Sequence, residues 1–246
     1  MSLRRRTGAV GLLAAVILVA GCTVAASREG QERVDAAIAS AGLTGQLGAE
    51  YSCSGALPGR VDSCQTRVTM RSDDRSLIEK AAAVPELQGA QMELHYRGAD
   101  VALAPEDVSL LWRIYDTIGD AVDIRFVSVD PAQPGVTVSA SATLTQGCAS
   151  AAALAPDFTG VTVSGDAQST EWSVRVEPGQ DLSALCGQAQ SFLDGGELSG
   201  VVLVSLTQTP SGLQLIEVRA DDTAEDTARA WFADHPLPAG MEARVS

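Results

Sequence analysis

The sequence predicts an α+β protein made of three tandem small α/β sandwich modules, each running helix, strand, strand, helix, strand. Three observations predict it. Asp107, Val108, Ser109 and Leu111 reappear as Asp181, Leu182, Ser183 and Leu185, an offset of 74 residues, and the same offset carried backward places Val108 on Val34. A proline followed four residues later by a glycine recurs as Pro85 with Gly89, Pro156 with Gly160 and Pro236 with Gly240. Proline ends a helix because it lacks the amide donor, and glycine permits the turn into the next strand. Arg71-Ser72-Asp73-Asp74 matches Arg219-Ala220-Asp221-Asp222 at twice the offset. The expected organisation is a signal peptide over 1–21, a short linker over 22–31, and modules over 32–104, 105–178 and 179–246.

The first helix of each module is marked by apolar residues at helical spacing. They are Val34, Ala37, Ile38 and Ala41, then Val108, Leu111, Trp112, Tyr115 and Ile118, then Leu182, Leu185, Cys186, Ala189 and Phe192. Gly42, Gly119 and Gly195 fall where a helix end favours glycine. Strand-like runs follow, 122–129 with 136–142 and 201–206 with 213–218, separated by Pro134-Gly135 and by Pro210-Ser211-Gly212. Second helices are shorter, carried by Leu77, Ile78 and Ala81 or by Ala224, Ala228, Trp231 and Phe232. Asp74 and Asp221 are placed to accept from their free first-turn amides. Closing strands cover 91–96, 161–164 and 241–245, and extended pieces at 100–103 and 172–176 lead into the next module.

Arg4, Arg5 and Arg6 precede an uncharged apolar run over 8–21, the layout of a secretory signal peptide. The run is too short for a spanning helix, which needs roughly 20 residues. Val19-Ala20-Gly21-Cys22 follows it and resembles the lipobox of bacterial lipoproteins. That resemblance implies cleavage before Cys22 and a diacylglyceryl group on its thiol, which two acyl chains make a stable anchor. The expected location is the extracytoplasmic face of the cell membrane, about ten residues of tether away from the first helix.

The whole chain carries 17 basic and 31 acidic residues; without residues 1–21 it retains 14 and 31, a net charge of −17. Nucleic acid is thereby excluded as a partner on charge, and attachment to anionic lipid falls to the covalent anchor. Apolar residues make up 46% and aromatics 4%, so cores are built from small side chains, which favours several small modules. Besides Cys22 there are four cysteines, Cys53, Cys64, Cys148 and Cys186, an even number suited to disulfides in an oxidising compartment. Of three pairings, Cys53 with Cys64 and Cys148 with Cys186 are favoured. No C-x-x-C occurs, and His95 and His235 stand far from the cysteines in sequence, so no metal site is expected.

The element order resembles the BON domain of bacterial envelope proteins. The shared features are the hairpin glycines Gly135 and Gly212, the polar cap before the second helix, and the proline-glycine stop before the last strand. The sequence departs from that pattern in a cysteine-bracketed loop over 54–63 and in lacking an interior glycine in the second strand. Ring-building modules of secretion and sporulation machines share the same order. The resemblance implies binding or scaffolding in the envelope and no catalysis.

No catalytic residue and no cofactor is expected. The serine-containing run 139–143 alternates like a strand and has no nucleophile elbow. Gly195-Gly196 lacks a following helix and lysine, and Lys80 is the only lysine in the chain. His95 and His235 are expected to be structural. The leading expectation is a lipid-anchored interaction module whose partner is an envelope protein or a cell-wall component. Two others remain open: a carrier or sensor of a small apolar ligand lined by Trp112, Trp172 and Trp231, and an oligomerising ring-type module.

Overall fold

The computed structural model describes residues 8–54, 61–129, 135–167, 170–195 and 199–246, with side chains described from residue 24 onward. Arg4–Arg6, the side chain of Cys22, residues 55–60 of the cysteine-bracketed loop, Pro134, Gly196 and Glu197 lie outside this set. The protein is mixed α/β. Its helices are α1 (Gly8–Ser40), α2 (Arg75–Ala82), α3 (Val108–Ile118), α4 (Leu144–Leu154), α5 (Ser183–Gly195) and α6 (Asp222–Asp234). Its strands are β1 (Leu47–Ser54), β2 (Ser63–Arg71), β3 (Gln91–Tyr96), β4 (Ala99–Leu103), β5 (Asp123–Val129), β6 (Gly135–Ser141), β7 (Gly160–Ala167), β8 (Thr170–Val176), β9 (Val201–Gln208), β10 (Gln214–Ala220) and β11 (Met241–Val245). Among the described residues no helix is long and apolar enough to cross a membrane. The chain divides into two compact units, one holding residues up to Arg97 with Ala102–Val108, the other Gly98–Val101 with Ser109–Ser246. The expected boundary at 178/179 falls inside the second unit.

In the first unit β1 pairs antiparallel with β2, and β3 pairs parallel with β2 after α2 crosses between them. Cys53 and Cys64 are register partners on β1 and β2 and form a disulfide. Residues 22–31, expected as a short linker, are helical and lie within α1. The segment contains no proline to interrupt it, and Arg28 pairs with Glu32 one turn on at 3.0 Å. The helix also packs. Gln31 Nε2 donates to the Ala49 carbonyl at 3.0 Å while its Oε1 accepts from the Tyr51 amide at 2.7 Å. Ser27 Oγ accepts from the Cys53 amide at 3.0 Å. Four helical residues rise about 6 Å and two strand residues about 6.8 Å, so side chains at 27 and 31 keep step with amides at 53 and 51. Gly30 faces the Tyr51 ring so closely that a β-carbon there would overlap it. The helix ends at Gly42, φ +65°, with Leu43 N–H donating to the Ile38 carbonyl and Gly42 N–H to Ala39, a Schellman ending. The expected glycine stops at Gly119 and Gly195 do not take that left-handed form.

In the second unit β5 through β11 hydrogen-bond in chain order, alternating antiparallel and parallel pairs. One face is apolar, with Val127, Val138, Val163, Val174, Leu206 and Ile216 in one register row. A bulge at Arg125 sends both Arg125 and Phe126 outward and keeps Ile124 and Val127 inward. Helices α4 and α5 lie together on the apolar face, tied by the Cys148–Cys186 disulfide. Strands β6 and β7 run one way and β8 and β9 the other, yet both crossovers advance in the same direction across the sheet over the same face. The units β6–α4–β7 and β8–α5–β9 are therefore of opposite hand, and one of them departs from the right-handed rule.

Trp172 on β8 is fully buried at the centre of this unit. Its ring fits between Gly147 of α4 and Gly165 of β7; a β-carbon on Gly147 would overlap the ring, and one on Gly165 would also lie 2.6 Å from the Ala140 carbonyl. Replacing Gly147 or Gly165 with alanine lowers stability by about 1–3 kcal/mol through overpacking. Gly187, exposed inside α5 with open space around its α-carbon, is the contrast, and G187A raises stability by up to about 1 kcal/mol. Urea unfolding of the three variants checks both signs.

Helix starts are set by side-chain caps. Asp74 accepts from the Ser76 and Leu77 amides, Asp221 from those of Thr223 and Ala224, and Thr143 forms a capping box with Gln146. The Asp74 carboxyl is held below its usual value by the Ser76 hydroxyl first and then the two amides, and that of Asp221 by the Thr223 hydroxyl first and then Ala224. A depressed folded pKa adds stability above the unfolded value that is lost as pH falls through the folded one. Melting temperature accordingly falls on acidification below about pH 4. The double variant D74N/D221N, which keeps a capping oxygen, flattens that fall with little change near neutrality, as thermal melts across pH will show.

Candidate functional site

Strand alternation in the second unit leaves the face opposite the helices mostly polar, apart from Phe126, Leu203 and Leu215, and small hydroxyl residues occupy its centre in register. Ser139, Ser164, Ser173 and Ser205 stand side by side on β6, β7, β8 and β9, and the row continues through Glu217 on β10 to Arg244 on β11. Adjacent strands are about 4.8 Å apart, so the four hydroxyls extend roughly 14 Å across the sheet. A second row holds Ser128, Thr137, Thr162 and Arg175 on β5 to β8. Valine, isoleucine, threonine and aromatic side chains favour strands most, so a run of four serines on interior strands is not what strand preference alone would select.

The cations of this face differ in how far they are engaged. Arg125 Nη1 meets Asp166 at 3.0 Å and its Nη2 donates to Ser141 Oγ at 3.0 Å. Arg244 Nε donates to Glu242 at 2.7 Å, which raises its pKa, with Glu217 adding a smaller share. Arg175 reaches Glu177 only at 3.9 Å. It borders a cavity of about 390 Å³ at the end of the sheet where β6 and β7 begin, lined by Ser128, Gly135, Thr137, Gly160, Thr162 and Glu177 among others. Gly135 and Gly160 are register partners, and a β-carbon on Gly160 would lie 3.6 Å from Arg175 Nη2. The arrangement offers both signs of charge and hydroxyls that donate as well as accept, a chemistry of polar recognition.

The residues singled out in the sequence are placed elsewhere. The four cysteines meet in two pairs, one in each compact unit, and neither pair lines the cavity. Among the described residues no three His, Cys, Asp or Glu side chains gather as metal ligands. His95 lies on β3, and His235 ends α6 with Nδ1 2.8 Å from the Trp231 carbonyl and its ring stacked on Trp231. Trp112 and Trp172 are buried, and Trp231 packs against Phe192 and Phe232.

The 74-residue repeat does not mark the hydroxyl face, although a shorter repeat carries it. Gly-Val-Thr-Val-Ser occurs at 135–139 and again at 160–164. The two copies pair in parallel, residue on identical residue, from Gly135 on Gly160 to Ser139 on Ser164. No protein-family model, curated protein or solved structure matches the chain.

Valine exceeds serine in strand preference, so S164V/S173V should leave stability unchanged or raise it by up to about 1 kcal/mol. Chemical denaturation measures this, and a clear loss would show the row to be structural.

Proposed function

We propose that this chain is a lipid-anchored binding or scaffolding module on the extracytoplasmic face of the cell envelope, held at Cys22, with the hydroxyl face of its second unit as the working surface. The observation that carries the reading is that face: a polar sheet surface left open, with serines where stability would favour larger residues. Two disulfides favour an oxidising compartment. The order helix, strand, strand, helix, strand recurs from α1 to β3, from α3 to β7 and from α5 to β11. In each case the first two strands are antiparallel and the third pairs parallel with the second. That recurrence supports three BON-like modules, a class that binds or scaffolds in the envelope. The helical, packed state of residues 24–32 shortens the tether: Ser27 is already bonded to β1, five residues after Cys22. The folded part then stands directly on the bilayer.

The test has two arms. C22S moves the protein from the membrane fraction to the soluble one. Crosslinking in cells from cysteines introduced on the hydroxyl face, with mass spectrometry, recovers a specific envelope protein or cell-wall fragment. Retention of C22S in the membrane overturns the anchor, and repeated absence of any specific adduct overturns the working surface.

A further inference from the structure

We propose that the cavity beside Arg175 binds the zwitterionic head of an α-amino acid, with ammonium and carboxylate carried on one carbon. The assignment rests on the reading of the hydroxyl face as the working surface and names its ligand. Arg175 and Glu177 lie two residues apart along the chain and both line the cavity. Their 3.9 Å separation is wider than the roughly 2.7–2.9 Å of a closed charge-assisted bond. Both side chains are more than half exposed, so each retains bonding capacity for a ligand. Glu177 is held from behind, its amide donating to Gln180 Oε1 at 3.0 Å.

The charge pattern selects the ligand. A simple anion meets Glu177 next to Arg175 and approaches a chain of net charge −14. A simple cation meets Arg175. A group bearing both charges at close range pairs with both residues, and its net neutrality makes it indifferent to the surrounding field. Thr137 and Thr162, adjacent in register across the floor, supply hydroxyls for the remaining polar atoms of such a head. The cavity, about 390 Å³, falls within the ordinary range for small-molecule sites, about 300–1,000 Å³, and leaves room for the rest of the ligand. Two sources present this chemistry: a free amino acid, and a diamino diacid residue of a cell-wall peptide whose distal ammonium and carboxylate share one carbon.

The test is an NMR titration of the ¹⁵N-labelled full chain in detergent micelles with L- and D-alanine. N-acetylalanine and alaninamide, each carrying one charge, are the controls. Saturable shifts centred on Thr137, Thr162 and Arg175 are expected for alanine in the millimolar range, with both controls at least about tenfold weaker. R175Q and E177Q each weaken alanine at least about tenfold at unchanged melting temperature. E177Q also narrows the gap between alanine and N-acetylalanine, which a merely structural defect does not do. Equal binding of N-acetylalanine and alanine, or no saturable shift up to about 50 mM, overturns the assignment. Co-sedimentation with purified cell-wall sacculi, displaced by alanine and lost in R175Q, identifies the wall as source; alanine binding without co-sedimentation identifies the free solute. Absence of alanine binding with crosslinked partners still recovered would overturn the ligand and leave the working surface standing.

Discussion

The second unit is organised around one ring in one slot. Trp172 lies in register between Gly165 on β7 and Val204 on β9, and Gly147 of α4 meets it from the helix layer. The surrounding core is mostly valine, alanine and leucine, side chains too short to fill the distance between a sheet and a helix unless the layers approach closely. The two glycines permit that approach and the indole fills what remains. Cys148 adjoins Gly147 and is bonded to Cys186, so the position of α4 over the ring also fixes α5. The indole N–H has no hydrogen-bond partner, a cost of about 1–3 kcal/mol that packing of the ring must exceed. This tight inner side is what allows the other face of the same strands to carry serine and threonine.

In the first unit the governing constraint is the outer strand β1. A strand edge leaves amides and carbonyls that invite pairing with another chain. Gln31 answers this with the same chemistry, because a primary amide offers one acceptor and a donor in the geometry of a peptide group. Ser27 extends the cover by one more strand amide. The segment is thereby committed to the fold, although its sequence gave no apolar stripe to reveal it.

Much of the fold was legible because it follows short-range rules. The strands at Gln91–Tyr96 and Met241–Val245 and the caps at Asp74 and Asp221 follow from alternation, turn residues and capping chemistry, and the two disulfides from an even cysteine count. What was not legible depends on neighbours distant in sequence. The helical state of 24–32 is fixed by bonds to β1, the bulge at Arg125 by the register of β5 on β6, and the placement of α5 by a disulfide to another helix. The candidate site is an intermediate case. Gly-Val-Thr-Val-Ser is visible twice in the sequence, but its meaning appears only when the copies are paired. The hydroxyls of one copy are unremarkable; two copies in parallel register, continued by Ser173 and Ser205, make a surface.

The strict chain order of β5 through β11 bears on how such a sheet is made. Every strand in it pairs with the one that came just before, so no strand must wait for a distant later segment, and loop-closure entropy stays small at each addition. A chain that emerges amino end first can extend this sheet by accretion at a single growing edge. The layer over the sheet closes later than its strands, because Gly147 and Cys148 of α4 meet their partners only when Trp172 and Cys186 arrive.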